Sequence, residues 1–493
     1  MIARLLKYVQ TDFLQKKLNS PLGILLIAAL AGVIGFAASK GLMVSIIAIA
    51  AAMGLFVAFL CFTNEAFGIV LIIVLAHVTA TLGRAVVSLP YGSLIEALIV
   101  LVFLGVMIRK TLLERRSLNI SQDAIAIALL ILLGYQALQV FNPGLANKMG
   151  YFNVLKRSTI MFLFYIICTY SFSTYKNLSL ALKVWIGLCF LLGLHGCYQE
   201  WVGLLPFEKR WLYGPEVILT LFLVDGHLRK FSLLDSPTNF GLLMATMGAF
   251  LLILLTGKYN FRKKLILIVM IAAMLLGMAF SGTRTAYVML PAGLGLFFIM
   301  NINKISTIII GVVCALGMAF VLYGPIKEKN IDRIRSAFNP GEDASYNVRD
   351  INRAKIQPVI HSHPFGTGIT TMGSAGLKFN PNSGIAGFPP DSEYVKSAVE
   401  TGYVGYFVYL AFYAAVLITT VNRFFSCRDR NIQVLYAAIA AAFFTMILGN
   451  YSQETANMFP NDVYLYLLLA FSASLYKFDS SYPDSYKTKP YEM

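Results

Sequence analysis

The feature that most constrains this chain is a succession of continuous apolar runs. Each is roughly 17–22 residues long and so able to cross about 30 Å of hydrocarbon as an α-helix. Ile24–Phe36 and Leu265–Phe280 lie in two of them. A membrane β-barrel would instead show segments of about ten residues that alternate apolar and polar. These runs do not alternate, so the sequence predicts helices, whose backbone groups satisfy one another where no water is present. Composition agrees: 58% of the 493 residues are hydrophobic and 13% are charged. A soluble domain sits near about 45–50% and about 25%.

Window hydropathy places about fourteen spans. They fall at approximately 21–38, 42–62, 66–81, 91–108, 123–140, 157–173, 180–200, 238–256, 265–281, 285–301, 305–323, 401–422, 432–450 and 460–476. The expected fold is an all-α polytopic membrane protein. Lys and Arg mark alternate connections: Arg109, Lys110, Arg115 and Arg116; Lys176; Lys258, Arg262, Lys263 and Lys264; Lys304; Arg423, Arg428 and Arg430. The leading segment adds Arg4, Lys7, Lys16 and Lys17, and the tail adds Lys477, Lys487 and Lys489. With an even number of spans these all share one side, which the positive-inside rule makes cytoplasmic, together with both termini. Met1–Ser20 reads as an amphipathic lead-in rather than a cleaved signal, since no small-residue cleavage site follows a short apolar region. The chain divides into N-terminal spans over 1–200, central spans with an external loop over 201–323, a large external loop over 324–400, and C-terminal spans with a cytoplasmic tail over 401–493.

The net charge of +16 follows from cationic helix flanks and from the external loops. No basic helix stands outside the membrane plan, so nucleic acid is not an expected partner, while membrane lipids are. Cys61, Cys168, Cys189, Cys197, Cys314 and Cys427 form no CxxC pair or ligand cluster. Neither a disulfide nor a zinc site is implied.

Chemistry is expected in the two long external loops, from about Trp201 to Pro237 and from about Gly324 to Glu400, because function concentrates in such segments. Arg229 and Lys230 lie just ahead of Asp235-Ser236-Pro237-Thr238-Asn239. Asp235 or Ser236 can cap a helix there and Pro237 suits its first turn. A basic pair at a helix N-terminus suits a phosphate, although the same residues also make an ordinary capped entrance. Arg284 sits in Ser281-Gly282-Thr283-Arg284, between two spans with almost no loop. It reads either as an interfacial arginine reaching head groups or as a guanidinium for an anion.

In the large loop, short helices are expected around Ile331–Phe338 and Val348–Ile360, followed by irregular coil over Gly366–Pro390. The loop carries Arg349, the run His361-Ser362-His363-Pro364-Phe365-Gly366-Thr367-Gly368, and then Asp391-Ser392-Glu393-Tyr394 before Glu400-Thr401-Gly402. Asp391, Glu393, His361 and His363 are candidate general bases. His-x-His without further ligands at set spacing is no metal site. His363 with Gly366 and Gly368 reads more simply as a turn, and Glu400 and Gly402 as organisers of the next helix start. His77 and His195, inside apolar runs, read as hydrogen-bonded core residues.

These patches together resemble the bacterial O-antigen ligase and polysaccharide polymerase superfamily, over roughly Leu228 to Gly405. The resemblance rests on Arg229 with Pro237-Thr238-Asn239, on Ser281-Gly282-Thr283-Arg284, and on Arg349, His363–Gly368 and Asp391–Gly405 in one long external loop. It implies an inverting glycosyltransferase of the GT-C type in the bacterial inner membrane, active on the periplasmic face. Such an enzyme moves a glycan from undecaprenyl diphosphate to a hydroxyl of another glycan or of lipid A core, without a cofactor. By resemblance Arg229 and Arg284 take the diphosphate, supported by Lys230, while Arg349 positions glycan or loop. Asp391 or Glu393 serves as base, and His363, Gly366, Gly368, Tyr394, Glu400 and Gly402 organise the loop. This chain has Asp391-Ser392 where ligases of the family tend to have His-Asn, which points toward the polymerase branch. A lipid-linked glycan flippase is the alternative. Transporters concentrate charge near the midplane, whereas the midspan regions here read as largely uncharged beside an elaborate external loop.

Overall fold

The computed structural model describes residues 41–85, 91–110, 123–325 (apart from 146, 215–218, 220 and 225) and 344–479, with isolated positions at 32, 35, 335 and 338. The expected span at 21–38, the lead-in at 1–20, the tail beyond 479, Arg115 and Arg116, and most of the helix expected around Ile331–Phe338 lie outside the described residues.

Almost every described element is helical. In chain order these are α1 (Leu42–Thr63), α2 (Glu65–Ala85), α3 (Tyr91–Ile108), α4 (Ala124–Leu138), α5 (Lys148–Ser171), α6 (Tyr175–Trp201) and the short α7 (Pro206–Leu212). A two-residue hairpin follows, β1 (Leu223–Val224) against β2 (His227–Leu228). Then come α8 (Pro237–Leu254), α9 (Phe261–Ser281), α10 (Arg284–Met300), α11 (Ile305–Tyr323), α12 (Ala344–Ser362), α13 (Gly373–Phe379), α14 (Glu393–Ser426), α15 (Arg430–Gly449) and α16 (Asn461–Ser474). Among the described residues nine helices are long and apolar enough to cross a membrane, and α3 and α10 add shorter apolar helices.

The distribution of burial shows what surrounds the bundle. In α1 the most apolar window, of mean hydropathy 2.6, is only 6% buried, whereas the window of α8, at 1.6, is 89% buried. Of these nine helices the most exposed is thus the most apolar, the reverse of a protein that meets water on all sides. α8 is the centre, packed against α9, α10 and α15. Close approach there rests on small residues, as expected where lipid offers no hydrophobic contrast. Ala437–Ala442 of α15 is almost wholly buried. A side chain at Gly241 of α8 would meet Ser281 Oγ and Thr283 Oγ1.

Two helices start earlier than hydropathy indicates. α5 begins at Lys148, not near 157, because the Asn147 side chain caps it by accepting from Met149 N and Gly150 N. Lys156 and Arg157 therefore lie inside the helix, where Lys156 pairs with Glu96 at 2.8 Å and Arg157 with the buried Asp462. The expectation of largely uncharged midspan regions is corrected at these positions: the ion pairs cancel charges that the hydropathy window reads only as a helix boundary. α14 begins at Glu393, directly after Ser392, whose hydroxyl donates to Asn450 O, and continues through a break at Gly402. The expected coil over Gly366–Pro390 also contains a helix, α13.

The connections at the two ends of the bundle differ in charge. Arg109, Lys176, Lys258, Lys304, Arg423 and Lys477 lie at helix ends or turns on one end, where Arg423 pairs with Asp123 at 3.1 Å. The 142–147 connection, the 201–236 segment, the 281–284 corner, the large loop and the 450–460 segment meet at the other.

Substituting Gly241→Leu should lower the melting temperature of the detergent-solubilised protein, an overpacking cost of about 1–3 kcal/mol. Met53→Ala, at a site 64% exposed on α1, should change stability by no more than about 0.5 kcal/mol. Equal effects would contradict this packing.

Candidate active site

The first corner is built on Arg229. Its Nε donates to Ser281 O at 2.9 Å, and one terminal nitrogen donates to Thr283 Oγ1 at 3.0 Å and Thr238 Oγ1 at 3.4 Å. Thr283 Oγ1 in turn donates to Pro237 O at 3.0 Å. The basic residue, the Pro-x-Asn helix start and the Ser-Gly-Thr-Arg patch, far apart in sequence, thus form one hydrogen-bonded corner. The corner is sharp because Gly282 adopts the left-handed region at φ 59°, ending α9 so that Arg284 can open α10. Arg284 takes the first helical position, next to Thr283 on which Arg229 rests.

Lys230 is differently engaged. It is buried, its backbone N donates to Phe280 O at 3.0 Å, and its ammonium lies 3.2 Å from Glu200. It braces the strand that presents Arg229. Arg84 supports the same segment from α2: its guanidinium lies 4.1 Å from the Trp211 ring centroid and 4.6 Å from that of Phe231 and donates to Leu234 O.

At the start of α8, Ser236 is the cap, accepting from Asn239 N at 3.2 Å. Asn239 Nδ2 donates to Asp235 at 2.7 Å and to Phe459 O at 3.2 Å. Burial raises the Asp235 carboxyl above its ordinary range, and the Asn239 amide and the Arg84 charge oppose that rise. His195 and His77 do find partners within the core: His195 Nδ1 lies 3.4 Å from Ser232 Oγ, and His77 Nδ1 lies 2.7 Å from Ile73 O.

The second corner is the end of the large loop. Asp391, half-buried, accepts from Asn352 Nδ2 at 2.8 Å. Asn352 lies on α12 between Arg349 and Arg353, a spacing that puts all three on one helix face. Arg353 donates to Tyr451 OH at 2.8 Å and Tyr451 O at 2.9 Å. Glu393 is buried; Oε1 accepts from Asn457 Nδ2 at 2.5 Å, and Oε2 has no hydrogen-bond partner among the described residues. Tyr394 OH donates to Ile447 O at 2.8 Å. Lys396 pairs with Glu454, and its charge also acts on Glu393 and Glu400.

The loop is anchored by two interlocked backbones. Gly402 breaks α14 at φ 71°, ψ −173°, a region open essentially to glycine alone. Into the break fits the His363–Gly368 turn: Thr367 N donates to Val399 O at 2.8 Å, Gly368 N to Glu400 O at 3.1 Å, and Tyr403 N to Pro364 O at 3.0 Å. A Cβ on Gly402 would strike Pro364 O, and one on Gly366 would strike Glu400 O. Glu400 Oε1 accepts from Met372 N at 3.4 Å. His363 itself stays exposed and bonds only within its own turn, to Ser362 Oγ and Val359 O, while His361 meets Tyr403 OH at 2.6 Å.

Sequence reasoning missed the piece that joins the two corners, the 450–460 segment between α15 and α16. Asn450 O accepts from Glu393 N and Ser392 Oγ, each at 3.0 Å. Ser452 Oγ lies 2.6 Å from Thr285 Oγ1, beside Arg284. Phe459 O accepts from Asn239, and Asn457 and Glu454 hold Glu393 and Lys396. The available signal was the polar run Tyr451-Ser452-Gln453-Glu454-Thr455-Ala456-Asn457 between two apolar runs.

Residues 269–410 match the family model described as O-antigen ligase. The match spans Arg284, α12, the interlocked turn and Asp391–Gly405, and this stretch of the chain is similar to the O-antigen ligase and polymerase superfamily. It supports glycan transfer of that general type. No curated protein matches the chain. Arg229 and the 450–460 segment lie outside the matched stretch yet contact it, at Ser281 and Thr283 and at Thr285.

Gly402→Ala should cost at least about 1–3 kcal/mol for the backbone conformation alone, seen as a lower melting temperature and faster proteolysis between 363 and 392. An unchanged melt would contradict the interlock.

Proposed function

We propose that this protein transfers a glycan from an undecaprenyl-diphosphate carrier to an acceptor hydroxyl on the periplasmic face of the bacterial inner membrane. Polymerase, with another carrier-linked glycan as acceptor, stands ahead of ligase, with lipid A core as acceptor. The observation that carries this reading is the joining of an arginine corner to a carboxylate corner by one segment, 450–460. The orientation follows from the short connections, whose Lys and Arg gather at one end of the bundle; the positive-inside rule, which counts short loops, makes that end cytoplasmic and leaves the site end outside.

In a single displacement, the acceptor oxygen bonds to the anomeric carbon as the bond from that carbon to the diphosphate oxygen breaks, which inverts the centre. Negative charge grows on the leaving diphosphate. Arg229 and Arg284 lie where they can take it, since guanidinium groups bind phosphate oxygens bidentately and at a partly dehydrated boundary such contacts are strong. These cations supply the charge that a divalent ion supplies in other transferases, so we read the reaction as metal-independent and the architecture as GT-C-like. Asp391, half-buried and held by Asn352, receives the acceptor proton. Glu393, held by Asn450 and Asn457, is the second candidate base. Arg349, on the same face as Asn352, reaches toward the glycan.

Arg284→Ala and Arg229→Ala should each reduce transfer by about 10²–10³-fold with expression unchanged. Asp391→Asn should do likewise, while activity should persist in a chelator. Wild-type glycan length in an Arg284→Ala strain would refute the assignment. In a deletion strain, single repeat units left attached to their acceptor would mark a polymerase. Long chains left on the carrier would mark a ligase.

A further inference from the structure

A groove of about 360 Å³ opens beside the interlocked turn, between the 142–147 connection and the 367–383 part of the large loop. Its volume falls within the range of small-ligand sites, about 300–1,000 Å³. It is lined by Asn147, Thr367, Thr371, Phe379, Asn380 and Asn382, with Gly144, Pro381 and Ser383 completing it. None of these carries a charge.

We propose that this groove is a glycan subsite that binds an uncharged stretch of sugar. The Asn382 amide can both donate and accept, which suits sugar hydroxyls, and Phe379 and Pro381 offer surface to the C–H face of a ring. A diphosphate would call for clustered cations; beside the groove stands Lys378, 5.1 Å from the Phe379 ring centroid, whereas Arg229 and Arg284 lie together at the other corner.

The floor is already fixed. Asn147 Nδ2 donates to Phe379 O at 2.6 Å, Asn380 Nδ2 to Thr370 O at 2.7 Å, and Thr371 Oγ1 to Gly368 O at 2.7 Å. Thr370 is held at φ 65°, an unusual conformation for a β-branched residue. A floor ordered before binding loses little entropy when ligand arrives. Asn382 and Pro381 stand exposed at the rim.

The groove also lies in register with the proposed chemistry. Helix α13 ends at Phe379 in the groove, and its first residue, Gly373, exchanges hydrogen bonds with Gly387 and Phe388, just before Asp391. Seven residues of helix span about 10 Å. A chain whose end reaches Asp391 can therefore lay a preceding sugar unit in the groove. This rests on the transferase reading; the sugar can belong to the donor or to the acceptor glycan.

The test uses full-length protein in detergent and a carrier-free oligosaccharide of the host's own repeat unit, with saturation-transfer NMR as the readout. Wild type and Arg284→Ala should both contact the sugar, since no diphosphate is present, and Asn382→Trp should lose the contact with its melting temperature unchanged. In the transfer assay, Asn382→Trp should raise KM about tenfold, one or two lost hydrogen bonds' worth, for the acceptor alone or the donor alone according to which glycan lies there. Should Asn382→Trp fold but leave sugar contact and both KM values unchanged, the groove proposal falls. Should sugar binding vanish in Asn382→Trp while Arg284→Ala retains full transfer, the groove stands and the diphosphate assignment falls.

Discussion

The site depends on a backbone crossing at Gly366 and Gly402. The helix that leads back into the bundle is broken at Gly402, and the turn from the loop's middle fills the break with its own N–H groups. A buried break would otherwise leave carbonyls at 399 and 400 without partners, at roughly 1–3 kcal/mol each. The turn satisfies them and in doing so pins Glu400 against Met372 and Asp391 near α12. Tyr135 OH, donating to Thr401 O at 2.7 Å, and Asn142, donating to Phe365 O at 2.7 Å, clamp the same crossing from the N-terminal half. A long polar loop thereby becomes a rigid wall.

Four ion pairs elsewhere in the protein follow one logic. In each, a partner from a distant helix meets the charge: Arg157 on Asp462, Lys156 on Glu96, Arg423 on Asp123, Lys230 on Glu200. Truncating Arg157 would leave the buried Asp462 carboxylate without its compensating charge. These pairs tie α3, α4, α5, α14 and α16 together across a region where apolar packing alone is weakly directional. They hold the frame in which α8 can sit at the centre and carry Asn239 to the 450–460 segment.

Much of this was legible in the sequence. Every described span expected from hydropathy has a helix, because a run long enough to cross hydrocarbon has few alternatives. The capped start at Ser236-Pro237 and the helix around Val348–Ile360 also appear where local chemistry places them. The errors sit where polarity and helix coexist. Lys148, Lys156 and Arg157 hid the first turns of α5, and Glu393, Lys396 and Glu400 hid those of α14, since a hydropathy window cannot know that a distant carboxylate or lysine will neutralise them. The site was legible as three patches but not as one. That Arg229 rests on Thr283, or that Asn450 and Ser452 join the corners, is a matter of tertiary contact between residues more than 50 apart in the chain.

The central claim is that Arg229 and Arg284 together form the diphosphate site. Its most direct test is the affinity of undecaprenyl diphosphate, without any sugar, for purified wild type and for the Arg229→Ala/Arg284→Ala double variant, measured by native mass spectrometry in matched detergent. The account predicts that the double variant binds about 100-fold more weakly, as expected for losing charge-assisted contacts of about 1.5–3 kcal/mol each. Equal affinity in the two proteins would place the carrier elsewhere and contradict it.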